Sequence, residues 1–228
     1  MPRFRDRRDA GRKLAEKLIH LVGQAGLLVA ALPRGGVIVA DEIARALAAP
    51  LDVLVVRKLG APGQEELAMG AIGPGGIRVL NRQVIRPLGI TDRQIEEVAR
   101  VEQAEIVRRE RAYRGDQPPL ALSGRIVLLV DDGLATGATM RAAIAVAKAG
   151  GAARVVVAVP GAPPDTAAAI AREADEMIVL ETPPLFHAVG QLYREFDQVS
   201  DAEVCRVMAE ALSVRKTGIP SRSRASKS

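Results

Sequence analysis

Aromatic side chains are scarce in this chain. Phe, Trp and Tyr make up 2% of 228 residues, with three Phe, two Tyr and no Trp. A core built on stacked rings is therefore excluded, and the 48% apolar share must pack as Ala, Val, Leu and Ile. Two His and one Cys supply no zinc ligand set. The lone Cys205 cannot close an internal disulfide. It fits a reducing compartment, so we expect a cytoplasmic protein, and its helical context reads as packing. No apolar run approaches the roughly 20 residues that span a bilayer, which argues against a membrane protein. Met1-Pro2-Arg3-Phe4-Arg5 is charged and has no apolar stretch, so no secretory signal is expected.

Charge is unevenly placed. The formal net charge is +5. Residues 214–228 hold Arg215, Lys216, Arg222, Arg224 and Lys227 with no acid, so residues 1–213 are formally neutral. The body carries no electrostatic footprint for nucleic acid, and any such binding is expected to be weak and to run through the tail. That tail is Ser-rich and lacks periodicity, and it reads as a disordered basic extension of a single domain, 1–213.

Apolar strands alternate with amphipathic helices. The pattern predicts a helix over Asp9–Val22, a strand over Leu27–Leu32, a helix over Val37–Ala48 and a strand over Leu51–Val56. Leu67–Ile72 and Ile77–Leu80 flank Gly73-Pro74-Gly75-Gly76, a hairpin signal. Thr91-Asp92-Arg93-Gln94 reads as a capping box opening a long helix to about Tyr113. On it, Glu96/Arg100, Glu105/Arg109 and Glu110/Arg114 fall at i,i+4. Ala99, Ile106 and Tyr113 recur every seven residues, to pack on the body or on a second copy in a homodimer. Strands follow over Ile126–Val130, Val155–Val159 and Met177–Leu180. Helices fall over Met140–Lys148, from about Asp165, and over Asp201–Leu212. The βαβ order predicts an α/β fold, a doubly wound parallel sheet with ligands at the C-terminal strand edge.

The most informative stretch is Ile126 to Thr139. A buried strand ends in two acids, Asp131 and Asp132. A small turn, Ala135-Thr136-Gly137-Ala138-Thr139, then leads into a helix. Strand, tight turn and helix N-terminus make an anion site. The acids mean that more than a phosphate binds, since carboxylates repel one unless a sugar hydroxyl or a metal intervenes. Two further segments fall at the same edge. Pro33-Arg34-Gly35-Gly36 opens the helix after the first strand, and Arg57-Lys58-Leu59-Gly60-Ala61-Pro62-Gly63 puts two cations and a Gly/Pro loop after the second.

Residues 127–139 resemble the 5-phosphoribosyl-1-pyrophosphate (PRPP) signature of type I phosphoribosyltransferases. With the other two segments, they resemble the bacterial group of predicted phosphoribosyltransferases of unassigned substrate. The resemblance implies that Asp131 and Asp132 hold the ribose hydroxyls and that Ala135, Thr136, Gly137, Ala138 and Thr139 wrap the 5′-phosphate. It gives Arg34, Gly35 and Gly36 to the pyrophosphate, with a non-proline cis peptide sought at Arg34–Gly35. Arg57 and Lys58 are similar to the Arg-Lys-x-Gly segment of adenine phosphoribosyltransferases. Lys58 would contact pyrophosphate, and a lid would span about 59–80. The long helix at 91–113 is an insertion, and a hood is sought at 181–213. The implied reaction moves phosphoribose from PRPP to a nitrogen nucleophile, a nucleobase, with Mg2+ and release of pyrophosphate.

The chain departs from the pattern at Ala135, where hypoxanthine-type enzymes carry an Asp for the base proton. Glu65 and Glu66 could supply a carboxylate instead, or are surface acids. Phe186 and Tyr193 are the candidate base-binding aromatics, with core packing as the other reading of Phe186. Two further readings stay open: a catalytically inactive PRPP- or nucleotide-sensing protein, for which Ala135 speaks, and a nucleic-acid-binding regulator, for which only the tail speaks.

Overall fold

The computed structural model describes residues 3–217. The first half runs α1 (Arg7–Lys17), β1 (Leu27–Ala31), α2 (Gly35–Ala46), β2 (Leu51–Val53), β3 (Arg57–Ala61), β4 (Gln64–Ile72), β5 (Arg78–Leu80), α3 (Arg82–Ile85) and α4 (Asp92–Arg114). The second runs β6 (Ile126–Val130), α5 (Ala138–Ala149), β7 (Arg154–Gly161), α6 (Pro164–Glu173), β8 (Glu176–Glu181) and α7 (Asp201–Thr217). The expected tail boundary at 214 falls inside α7, and the rest of that tail, 218–228, lies outside the described residues.

Five strands form a parallel sheet in the order β2-β1-β6-β7-β8, and three form an antiparallel sheet in the order β3-β4-β5. The parallel strands are apolar on both faces because helices cover both. Leu27, Val29 and Ala31 enter one core with residues of α1, α2, α4 and α7. Leu28 and Ala30 enter the other with residues of α5 and α6. Residues Leu128 and Val130 join the first core, Val127 and Leu129 the second. This period of two fixes the register of β1 on β6, from Leu27↔Ile126 to Ala31↔Val130. A one-residue slip would exchange the residues facing the two cores.

Several elements differ from the sequence expectation, each for a local reason. α1 starts at Arg7 because Asp6 caps it, accepting from the Asp9 amide at 2.7 Å. It stops at Lys17, and a 3-10 turn over Ile19–Leu21 continues toward Gly23. β2 ends at Val53, although the Leu54 amide still donates to the Ala31 carbonyl. The hairpin over 64–80 forms as read. The Arg57–Ala61 segment is a strand where the sequence suggests a mobile loop, paired from Arg57↔Ile72 to Ala61↔Gln64. Its residues are not strong strand formers, so the pairing comes from tertiary context. Gly60 sits at a bulge where a Cβ would lie 2.6 Å from the Glu65 carbonyl oxygen.

α4 begins with the expected capping box: the Thr91 hydroxyl accepts from the Gln94 amide, and the Gln94 side chain accepts from the Thr91 amide. Ala99, Ile106 and Tyr113 are buried in this chain's own core, which settles the choice between body and partner for those residues. The Tyr113 hydroxyl donates to Asp201 on α7 at 2.6 Å. Burial, and then that carboxylate, push the phenol up to about 12. Of the three helical ion pairs, Glu105–Arg109 forms at 2.6 Å, while Glu96 turns to Arg78 and Arg114 to Asp52.

The Arg114–Asp52 pair ties α4 to β2 through two bonds of 2.8 and 3.2 Å, with each residue 8% exposed. Deleting one partner would strand the other's charge in the core. Asp52→Ala should therefore lower the unfolding free energy by about 3–5 kcal/mol. Breaking the exposed Arg93–Glu97 pair should be near neutral. Urea denaturation of Asp52→Ala beside Glu97→Ala checks this, and equal small losses would contradict it.

Candidate functional site

β1 and β6 are neighbours whose onward connections diverge. β1 leads to β2 on one side, and β6 leads to β7 on the other. The crevice between them at the C-terminal edge is the topological switch point, where open α/β sheets bind ligands. Register Ala31↔Val130 brings the loop before α2 against the turn before α5.

That approach is closer than side chains allow. A Cβ on Gly36 would lie 2.7 Å from the Val130 carbonyl oxygen and 2.9 Å from the Asp131 Cα. A Cβ on Gly35 would lie 1.9 Å from Asp132 Oδ2. The glycines are what the packing requires, and they start α2 with its N-terminus at the crevice. The non-proline cis peptide is present at Pro33–Arg34, one bond before the expected Arg34–Gly35. α5 likewise starts at the crevice, from Gly137 at φ 73°. A Cβ there would lie 2.9 Å from Thr166 Cγ2. Two helix N-termini thus converge beside two acids, a field that favours anions.

The acids are in different surroundings. Asp131 Oδ1 accepts from the Asp132 amide at 2.8 Å. Burial, and then the neighbouring Asp132, push the Asp131 carboxyl well above the usual carboxylate range. Asp132 Oδ2 accepts from Arg7 Nε at 2.7 Å, with the two side chains 11% and 15% exposed. Arg7 also donates to the Asp197 carbonyl at 2.8 Å, and its guanidinium lies 3.9 Å over the Phe196 ring. The sequence reading missed Arg7, which lies 125 residues from its partner in a run of ordinary-looking charges. Nothing local in the sequence marks it.

In the turn, Ala135, Thr136 and Thr139 are exposed and Ala138 is half-buried. The Thr136 hydroxyl accepts a long bond from the Ala138 amide, 3.4 Å, and the Thr166 hydroxyl donates to the Ala135 carbonyl at 3.1 Å. Tyr193 is buried rather than offered as a platform. Its ring stacks on Phe196 at 5.0 Å and meets Phe4 at 5.8 Å, and its hydroxyl donates to the Asp132 carbonyl at 2.6 Å. Burial raises its phenol strongly. Phe186 is half-buried against the same small cluster. Arg7, Arg34, Gly35, Phe196, Gln198 and Val199 line a cavity of about 350 Å3 beside the crevice.

The four candidates on the hairpin come together elsewhere. Arg57, Lys58, Glu65 and Glu66 line a cleft of about 510 Å3 between the small sheet and α4. Arg57 pairs with Glu102 of α4 at 2.6 Å, and Lys58 with Glu66 at 3.7 Å. In this arrangement Glu66 is a counter-ion of Lys58. His20 pairs with Glu176 at 2.9 Å, His187 is exposed, and the Cys205 thiol donates to the Ala112 carbonyl in the α4–α7 contact. No helix of the described residues is long and apolar enough to cross a membrane.

The raised carboxyl of Asp131 has a stability consequence. Its folded form holds a proton that the unfolded chain gives up, so stability falls as pH rises from the ordinary carboxylate value through the raised one. Asp131→Asn keeps the Oδ1 acceptor and removes that charge. The variant should melt above the wild type at pH 8, and the difference should vanish near pH 4. A melting difference independent of pH would contradict the assignment.

The chain is similar to known proteins over most of its length. A family model described as "Phosphoribosyl transferase domain" matches residues 5–193. Two proteins of Mycobacterium tuberculosis, from strains CDC 1551 and H37Rv, are each 52% identical over 211 residues, and their names assign them provisionally as phosphoribosyl transferases. Those matches cover 92% of this chain and 47% of each relative, so the chain spans about half the length of the curated relatives it matches. The crystal structure of TT1426 from Thermus thermophilus superposes with a TM-score of 0.82 at 46% identity, covering 91% of this chain and 98% of that one.

Proposed function

The chain belongs to the phosphoribosyl transferase family, and from that premise we propose that it transfers 5-phosphoribose from PRPP to a nitrogen nucleophile, a nucleobase, with release of pyrophosphate. The observation that carries the reading is the acid pair Asp131–Asp132 set between two helix N-termini at the switch point, against the Gly35–Gly36 loop. A phosphate alone has no use for two acids. A phosphorylated sugar does, because its hydroxyls donate to them while its phosphate meets the backbone amides.

In this reading the turn from Ala135 to Thr139 holds the 5′-phosphate, and Asp131 and Asp132 hold the ribose hydroxyls. Arg34, Gly35 and Gly36 face the pyrophosphate, and Lys58 and Arg57 would reach it only by leaving Glu66 and Glu102 in the hairpin cleft. The bond from ribose C1 to the pyrophosphate oxygen breaks, and a bond from C1 to the acceptor nitrogen forms. The protein's work is positioning and the exclusion of water, which would otherwise take the acceptor's place. Among the described residues no cluster of three or more His, Cys, Asp or Glu could hold a metal. Two adjacent carboxylates still suit Mg2+, which takes most of its ligands from substrate oxygens. Asp131 and Asp132 would hold it, and it would neutralise charge on the leaving pyrophosphate. The acceptor's proton has no taker at exposed Ala135, and Glu65 and Glu66 are the carboxylates of the hairpin cleft. Ala135 is also the observation that favours a second reading, a PRPP- or nucleotide-binding sensor without turnover.

Titration calorimetry with Mg·PRPP and pyrophosphate release against a panel of bases separate the two readings. Mg·PRPP should bind the wild type. Asp131→Ala/Asp132→Ala should bind it weaker by about two orders of magnitude or more, at about 1.5–3 kcal/mol for each lost charge-assisted bond. Unchanged affinity in the folded double variant would remove the ribose assignment.

The phosphate subsites can be told apart as well. Thr136→Val should weaken both PRPP and a nucleoside monophosphate, which share the 5′-phosphate. Lys58→Ala should spare the monophosphate and reduce turnover. Affinities of both ligands for both variants check the division, and equal losses throughout would contradict it.

A further inference from the structure

We propose that Arg7 is a positioning residue of the ribose subsite: it locks the Asp132 carboxylate toward the crevice and ties that orientation to the C-terminal segment 193–197. This rests on the phosphoribosyl-transfer reading and adds to it a residue that no motif contains.

The geometry holds Asp132 from three sides. Arg7 Nε takes Oδ2 at 2.7 Å, and Gly35 leaves no room on its side, since a Cβ there would lie 1.9 Å from that same oxygen. The Tyr193 hydroxyl holds the Asp132 carbonyl at 2.6 Å. A carboxylate accepts several hydrogen bonds, and Arg7 engages one oxygen, so acceptor capacity remains for a ribose hydroxyl.

Arg7 is itself fixed. It donates to the Asp197 carbonyl, lies over Phe196 at 3.9 Å, and belongs to the first turn of α1, which the Asp6 cap anchors. Phe4 in the preceding segment packs on Tyr193, and its amide donates to the Leu192 carbonyl. The N-terminal segment and segment 193–197 thus act as one support for a single carboxylate.

Charge matters as much as direction. Two acids at the mouth of a site would repel a ligand that carries several phosphate charges. The Arg7 guanidinium compensates one of them inside a setting where solvent screens little, with both side chains largely buried. A lysine could match the charge but not the fork, which reaches Asp132 through Nε and Asp197 through Nη1.

A structural ion pair alone would make the same contacts, so the test deletes ligand groups as well as protein groups. Calorimetry would use ribose 5-phosphate, 2-deoxyribose 5-phosphate and inorganic phosphate, with wild type, Arg7→Met and Arg7→Lys. Arg7→Met should weaken ribose 5-phosphate about tenfold or more and inorganic phosphate by less than about twofold. Its effect should shrink for the 2-deoxy sugar, and Arg7→Lys should recover part of the loss. If Arg7→Met does not fold, the same contrast read on Arg7→Lys against wild type decides the matter. Equal weakening of all three ligands, or unchanged ribose 5-phosphate affinity, would overturn the role of Arg7 while leaving the transfer reading intact. A wild type that binds neither ribose 5-phosphate nor Mg·PRPP would overturn the transfer reading and this proposal with it.

Discussion

The close passage of two loops governs the rest of the site. Gly35 and Gly36 lie where any Cβ would collide with Val130, Asp131 or Asp132. Because β1 and β6 are hydrogen-bonded neighbours in fixed register, the loops that leave them cannot separate. The same contact places both acids between two helix N-termini, half-buries Asp131 and sets the wall against which Asp132 is held. Without the register of β1 on β6, the crevice would lose both its amides and its acids.

Burial of acids in such a place is unfavourable for the free protein and useful with a ligand present. The raised carboxyl of Asp131, which burial and then Asp132 push up, and the ion pair of Asp132 are two responses to crowding two acids at one strand end. Hydroxyl donors would relieve it on binding. A site whose acids are best satisfied by hydroxyls directs binding energy to the sugar, so a bare phosphate would gain much less from it.

Legibility in the sequence followed the distance over which each feature is made. The parallel strands, the capped α4 helix, the Gly73–Gly76 hairpin and the acid turn are each written in one contiguous stretch, through periodicity or turn chemistry. β3 was not legible, because Arg57 to Ala61 become a strand only by pairing with β4. Tyr193 read as a free aromatic because nothing near it says that Phe4, Phe196 and Arg7 would surround it. Arg7 was invisible for the same reason, its partner lying 125 residues away. The helix α1 begins two residues early because a cap, rather than the apolar pattern, sets its start.

This division has a consequence for how the molecule can vary. The acid turn and the glycine loop are contiguous segments at the ends of paired strands, so a change there breaks local geometry. The N-terminal segment and residues 186–199 close on the crevice from distant parts of the chain, while the β3–β4 hairpin lines a separate cleft with α4. None of those parts sets the β1–β6 register or the position of its glycines. Arg7 joins the two, since it holds Asp132 with one nitrogen and the Asp197 carbonyl with another. A substitution in segment 193–199 that shifts the Asp197 carbonyl would thus be felt at Asp132 through one side chain, so the orientation of that carboxylate depends on a segment more than sixty residues further along the chain.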